Sequence, residues 1–171
     1  MNFMDIKKVD VANGPGVRVS LFVSGCPHHC PGCFNPESWD FGSGRPFGQA
    51  RVEELVAMLK EPYVKGLSLL GGEPFAPENQ KAVLDLVKQV RDRKMGKDIW
   101  CWTGYLFEDL AAGKVGDYGQ ELLEHLDVLV DGPFLLDKKD LSLRFRGSSN
   151  QRVIDVPRSL RMGTAQLQLE I

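Results

Sequence analysis

Apolar residues along this chain fall into two alternating rhythms. Short runs rich in β-branched and aromatic residues, such as residues 18–25 (RVSLFVSG) and 67–70, read as buried strands. Between them lie segments with helical spacing. Val52, Leu55, Val56 and Leu59 recur at i, i+3, i+4 and i+7 with Glu53, Glu54 and Lys60 facing outward, and Val83, Leu86, Val87 and Val90 repeat that stripe in a second helix whose start is marked by Pro77. Further strands are expected at 98–103 and 127–130, the latter ended by Asp131, Gly132 and Pro133. One or two helical turns, interrupted by Gly113, Gly116 and Gly119, are expected between 105 and 126. Residues 151–156 and 166–171 look extended, with no helix expected between them.

Alternation of strand and helix is the pattern of an α/β protein with a parallel sheet. The chain holds about four such units, fewer than the eight of a closed barrel, so an incomplete, open (βα) barrel is expected. Active sites in such folds lie at the C-terminal ends of strands. The strand at 18–25 feeds directly into a cysteine-rich loop, and the strand at 67–70 stops at Gly71 and Gly72, so both features are expected at that end.

Composition narrows the picture. A chain of 171 residues, 43% hydrophobic and 26% charged, suits one globular domain spanning residues 1–171. A net charge of −2 argues against broad attraction to nucleic acid or anionic lipid. The first sixteen residues (MNFMDIKKVDVANGPG) lack an apolar segment and a cleavage site, and no apolar stretch reaches membrane-spanning length, so a cytoplasmic location is expected.

Candidate chemistry centres on the cysteines. Of the four, Cys26, Cys30 and Cys33 fall within eight residues and Cys101 lies far away in DIWCWTG, a spacing that favours metal over disulfides. Thiolates suit zinc, copper or iron–sulfur clusters, so residue type alone does not choose. A structural zinc site wants four closed ligands, usually as two separated pairs, and no second CxxC exists here. His28 or His29 as the fourth ligand would strain a very short loop. Three thiolates make sense if one iron of a cluster stays open to an outside ligand, whereas an electron-transfer cluster is capped four times. Cys101, among Ile99, Trp100 and Trp102, reads as a buried apolar residue rather than that cap. His28 is expected either to pack locally or to stand beside cluster sulfurs.

The C-x3-C-x2-C spacing together with GGEP at 71–74 resembles the radical S-adenosylmethionine enzymes. More closely, NGPGVR (13–18), GCPHHCPGCFNPESWDF (25–41), SLLGGEPF (68–75), WTGY (102–105) and RGSSNQRVIDV (146–156) are similar to the activating enzymes of anaerobic ribonucleoside-triphosphate reductase, over nearly the whole chain. That resemblance implies one 4Fe-4S cluster ligated by Cys26, Cys30 and Cys33, with S-adenosyl-L-methionine chelated to its open iron. Gly71, Gly72 and Glu73 would receive the methionyl ammonium through backbone carbonyls and the Glu73 carboxylate, and the backbone of Gly32, Cys33 and Phe34 would meet the adenine. Two departures stand out: Gly32 occupies the place where the superfamily often has an aromatic residue, and Asn13 replaces the usual aspartate before Gly-Pro-Gly.

The implied reaction is one-electron cleavage of the sulfonium to methionine and a 5′-deoxyadenosyl radical, which takes a hydrogen atom from a backbone glycine of the partner reductase. The cofactor and cluster carry the chemistry, so no catalytic side chain is expected. A flavodoxin or ferredoxin is the implied electron donor. Arg144, Arg146, Ser148, Ser149, Asn150 and Gln151 are candidates for a docking surface, or for a solvated polar loop. The competing readings are an activator of another glycyl-radical enzyme of the pyruvate formate-lyase type, a small-molecule radical enzyme such as a deazaguanine synthase, and a noncatalytic iron–sulfur or zinc module.

Overall fold

The computed structural model of the chain describes residues 1–168. One mixed sheet of seven strands organises it, in the order β3-β1-β2-β4-β5-β6-β7. The strands are β1 (Asn2–Asp10), β2 (Val17–Val23), β3 (Arg45–Pro46), β4 (Val64–Gly71), β5 (Asp98–Trp102), β6 (Val128–Asp131) and β7 (Arg152–Asp155). The central strands β2, β4, β5 and β6 run parallel, while β1 pairs antiparallel with β2, β3 antiparallel with β1, and β7 antiparallel with β6. Helices fill the crossovers: α1 (Gln49–Leu59), α2 (Pro77–Asp92), α3 (Phe107–Ala111) and α4 (Gly119–Glu124), with α5 (Val156–Met162) after β7. The fold is thus α/β with a parallel centre, as expected. Among the described residues no helix is long and apolar enough to cross a membrane.

Side-chain alternation along the strands separates two environments. Val19, Leu21 and Val23 of β2, Leu67 and Leu69 of β4, Ile99 and Cys101 of β5, and Leu129 of β6 pack with residues of all five helices in the main core. The intervening residues face the other way. Trp100, Val128, Val130 and Val153 form a second buried cluster with Trp102 and Phe145, to which no helix contributes. The parallel register aligns Ser20 with Ser68 and Ser68 with Trp100, so a row of polar and aromatic side chains crosses this helix-free face.

Arg18 anchors that row. Its side chain is fully buried, yet its Nε donates to Ser68 Oγ at 2.6 Å, one terminal nitrogen donates to the Leu67 carbonyl at 2.9 Å and pairs with Asp98, and the guanidinium lies over Trp100. A buried charge is tolerated only when paired and hydrogen-bonded, as here. Ser68 Oγ in turn donates to the Asn13 carbonyl, which draws the 11–16 loop onto the sheet. Asp10 fixes the start of that loop, accepting from the Asn13 side chain, the Ser20 hydroxyl and the backbone N–H groups of Ala12 and Asn13.

Three elements depart from the sequence reading. β1 was not expected, because its polar outward residues break any apolar run; the strand is held by pairing with both β2 and β3. β3 spans only two residues, too short to leave a pattern. α5 stands where no helix was expected, although Pro157 in its first turn and Asp155, whose side chain accepts from Arg158 N–H, are sound start signals. In the terminal segment expected to be extended, Leu167 makes a single bridge to Ile154, and residues 169–171 lie outside the described part.

Burial pushes the Asp10 carboxyl upward, but its four hydrogen bonds outweigh that and hold it below the usual carboxylate range. A lowered folded value means stabilisation that is present above about pH 4 and is lost as pH falls through the folded value. Asp10→Asn is expected to cost about 1–2 kcal/mol at neutral pH and to flatten the loss of stability below about pH 4. Urea unfolding across that range checks both.

Candidate functional site

Four loops leave the C-terminal ends of the parallel strands on the same side of the sheet. They begin at Ser24 after β2, Gly72 after β4, Thr103 after β5 and Gly132 after β6. With the helix-free face of the sheet they enclose an open cavity of about 640 Å³. Cys26, Cys30 and Cys33 all line it, each partly exposed, together with Gly71, Gly72 and Glu73. The two motifs that the sequence separates by some forty residues line one cavity.

Backbone pairing sets the cysteine loop. Gly25 N–H donates to the Ser38 carbonyl at 2.7 Å and Cys26 N–H to the Trp39 carbonyl at 3.0 Å, closing the loop at its base. Within it Cys33 N–H reaches the Cys30 carbonyl at 3.0 Å, and Asn35 N–H donates to the Cys33 sulfur at 3.4 Å. Gly32 has φ +74°, and a Cβ there would lie 2.7 Å from Leu136 Cδ1. The positive φ favours glycine at this position, whereas the Leu136 tip is the end of a flexible, exposed side chain. Phe34 instead shows its ring at the mouth, 5.2 Å from Phe134 and beneath the Lys139 ammonium.

The GGEP turn packs against this loop rather than beside it. Gly72 N–H donates to the Val23 carbonyl and Glu73 N–H to the Gly25 carbonyl, both at 2.8 Å. A Cβ on Gly72 would come within 2.5 Å of the Gly25 oxygen, so glycine is required by the close approach itself.

Glu73 is 1% exposed. Its Oε1 accepts from Phe75 N–H at 2.9 Å and Thr103 Oγ1 at 2.8 Å, and its Oε2 from His28 Nε2 and Gly104 N–H, both at 2.8 Å. A carboxylate offers about four acceptor sites, and these donors occupy that number. Glu73 borders the cavity and, through these bonds, joins three loops. Thr103 and Gly104, which sequence reasoning did not single out as site residues, carry half of that junction; they stand 30 and 31 residues from Glu73. No local spacing signals a contact across a helix and a strand.

His28 resolves toward the junction. Besides its bond to Glu73, its ring meets Tyr105 edge-on at 4.5 Å. Cys101 is fully buried in the helix-facing core, and burial, with the Glu73 charge adding to it, pushes its thiol well above the usual range. It does not line the cavity. Burial likewise pushes the Cys26 thiol up to about 11, while the backbone N–H groups of His28 and His29 pull the other way.

The RGSSNQ segment is knitted to itself and to its neighbours. Arg146 donates to the Gln151 carbonyl, and the Gln151 side chain accepts from Gly147 and Ser148 N–H and donates to the Gly132 carbonyl. Ser148 is buried, leaving Arg144 and Ser149 exposed.

These residues fit an iron–sulfur cluster. The donor set is three soft thiols lining one cavity, and among the described residues no three His, Cys, Asp or Glu side chains gather to hold a single metal ion. Cluster thiolates each bind a different iron, so convergence on one point is not needed.

Residues 12–154 match the family model described as a 4Fe-4S single cluster domain. Over 155 residues the chain is 45% identical to the anaerobic ribonucleoside-triphosphate reductase-activating protein of Escherichia coli (strain K12), covering 90% of this chain and 97% of that protein. It is 46% identical over 153 residues to the protein of the same name from Vibrio cholerae serotype O1, covering 88% and 96%. Against that of Enterobacteria phage T4 it is 42% identical over 155 residues, covering 90% and 93%.

Removing the junction should be costly. Glu73→Ala leaves four donors without an acceptor, and a loss of about 3 kcal/mol or more is expected; Glu73→Gln, which turns two acceptor sites into donors, is expected to cost about 2 kcal/mol. Urea unfolding measures both, and a loss under about 1 kcal/mol for the alanine variant would contradict the junction.

Proposed function

The chain belongs to the family of anaerobic ribonucleoside-triphosphate reductase-activating proteins, and from that premise we propose that it is a radical S-adenosylmethionine enzyme that generates a glycyl radical on that reductase. Cys26, Cys30 and Cys33 hold three irons of a 4Fe-4S cluster and leave the fourth for S-adenosyl-L-methionine. When bound, that pair supplies reductive cleavage of a carbon–sulfur bond and with it the means to remove a hydrogen atom from a glycine of the partner.

The chain's own residues bind, orient and enclose. The carbonyls of Gly71 and Gly72, with the Glu73 carboxylate beside them on the cavity, accept from the methionyl ammonium. Gly32, Cys33 and Phe34 offer backbone to the adenine, and Phe34 with Phe134 forms an apolar edge that limits water at the mouth. The parallel strands β2, β4, β5 and β6, with their loops gathered on one side, are read as the open (βα) barrel of a single domain. The partner's glycine-bearing segment enters over the exposed rim that includes Arg144 and Ser149. A flavodoxin or ferredoxin supplies the electron, and the cytoplasm is the setting.

The observation that carries this reading is the division of the cysteines: three line one cavity, and the fourth lies in the core across the sheet. That is the arrangement a cluster with one open iron needs. The relatives reported share a single name, which favours neither another glycyl-radical partner nor a noncatalytic module.

Anaerobic reconstitution with reductant and S-adenosylmethionine is expected to yield 5′-deoxyadenosine and methionine, and a glycyl radical signal by electron paramagnetic resonance once the reductase is added. Alanine at any one of Cys26, Cys30 or Cys33 should abolish both products. Turnover surviving in such a variant would contradict the ligand set.

A further inference from the structure

Three cations stand around the cavity, each over an aromatic ring that lines it. Lys7 of β1 lies 4.9 Å from the Phe22 ring centre, Lys139 lies 5.1 Å from that of Phe34, and the Arg144 guanidinium lies 5.3 Å from that of Phe145. They come from both flanks, β1 on one side and the segment between β6 and β7 on the other. All three are exposed, and among the described residues none is paired with a carboxylate.

The surroundings leave this charge uncancelled. The lining adds Arg146 and the carboxylates of Glu73 and Asp140. Glu73 is buried in its junction, and Asp140 accepts from the Ser142 N–H and hydroxyl. Neighbouring Asp5 and Lys8 offset each other in charge, as do Asp137 and Lys138. A chain of net charge −2 therefore carries a cationic mouth on the cavity that its cysteines line.

Apolar side chains share that mouth. Phe34 is 55% and Leu141 81% exposed, and both line the cavity. Leu141 is presented by a turn in which Leu143 N–H donates to the Asp140 carbonyl. A small ligand is largely enclosed by its cavity and does not cover a side chain as open as Leu141. A protein face does, and apolar contacts within a charged rim are the usual make-up of a protein interface.

Among the partners of the proposed function, the electron donor is the one that such charges serve. Three cluster thiolates leave the loaded site anionic, and each electron delivered makes it more so. An acidic donor is repelled there unless cations stand in its path. Exposed, unpaired cations raise the rate of encounter with an acidic partner more than they prolong its stay, which suits a donor that departs before the reductase docks.

We propose that Lys7, Lys139 and Arg144, with Phe34 and Leu141, form the docking face for an acidic one-electron donor protein of the flavodoxin type. The proposal rests on the cluster of the proposed function and names the place where its electron enters. Arg144 also lies on the rim that the reductase crosses, so donor and reductase use this face in turn. In the step it serves, the anionic flavin hydroquinone gives one electron to the oxidised cluster and becomes the neutral semiquinone, and no proton moves.

A variant combining Lys7→Gln, Lys139→Gln and Arg144→Gln removes the charges from exposed positions. Cluster reduction by flavodoxin hydroquinone is followed by stopped-flow absorbance at rising ionic strength, with photoreduced deazaflavin as a small-molecule control. At low salt flavodoxin is expected to reduce the variant about tenfold more slowly than wild type, with a weaker salt dependence, while deazaflavin reduces both at the same rate. Equal flavodoxin rates overturn the proposal, even if the variant then needs more reductase for half-maximal glycyl radical. A variant slowed equally with both reductants overturns it as well. Should the variant take up no cluster, the affinity of oxidised flavodoxin for the cluster-free proteins decides: a loss of about tenfold at low salt supports the docking face, and equal affinity overturns it. A wild-type protein that takes up no 4Fe-4S cluster overturns the proposed function instead, and the same affinity comparison still decides on the docking face.

Discussion

A single buried carboxylate holds the site together. Glu73 accepts hydrogen bonds from the loop after β2 through His28, from its own turn through Phe75, and from the loop after β5 through Thr103 and Gly104. Bonds to an ionised carboxylate are stronger than neutral ones, and burial raises the cost of losing any of them. The three loops thereby behave as one wall. The cysteines, on a short loop with little regular structure of its own, take their position from this wall and from the pairing of Gly25 and Cys26 with Ser38 and Trp39.

The sheet makes such a wall available by keeping its two faces chemically distinct. Adjacent residues of β5 have opposite fates: Cys101 is buried against the helices, and Trp102 lines the cavity. One face is apolar and packed by helices, which supplies the burial that stabilises the fold. The other is crossed by Arg18, Ser20 and Ser68, whose hydrogen bonds tie the 11–16 loop down and leave the strand ends free to build the cavity. Stability and chemistry thus occupy opposite sides of the same strands.

Much of this was legible in the sequence where the signal is local. The stripes of Val52–Leu59 and Val83–Val90 lie within α1 and α2, and Pro77 opens α2 as its position suggested. The Gly71-Gly72 pair at the end of β4 and the cysteine triplet after β2 fell at the strand ends that their punctuation indicated. What escaped notice depends on distant contacts. β1 exists because two other strands pair with it, and the duty of Glu73 is set by His28, 45 residues before it, and by Thr103, 30 residues after it. The RGSSNQ segment reads as a docking surface or a solvated polar loop, yet Gln151 gathers it by reaching Gly132, 19 residues away. α5 is the exception: its proline and its capping aspartate were local signals that an extended reading of the flanks concealed.

Everything functional requires that the three cavity cysteines leave one iron free for an outside ligand. Mössbauer spectroscopy of the anaerobic, 57Fe-reconstituted protein, recorded with and without S-adenosylmethionine, observes that iron directly. A distinct iron site whose parameters change on addition of the compound, with the other irons unaltered, is the expected result. Four equivalent, thiolate-capped irons indifferent to S-adenosylmethionine, or protein that binds zinc in their place, would contradict it.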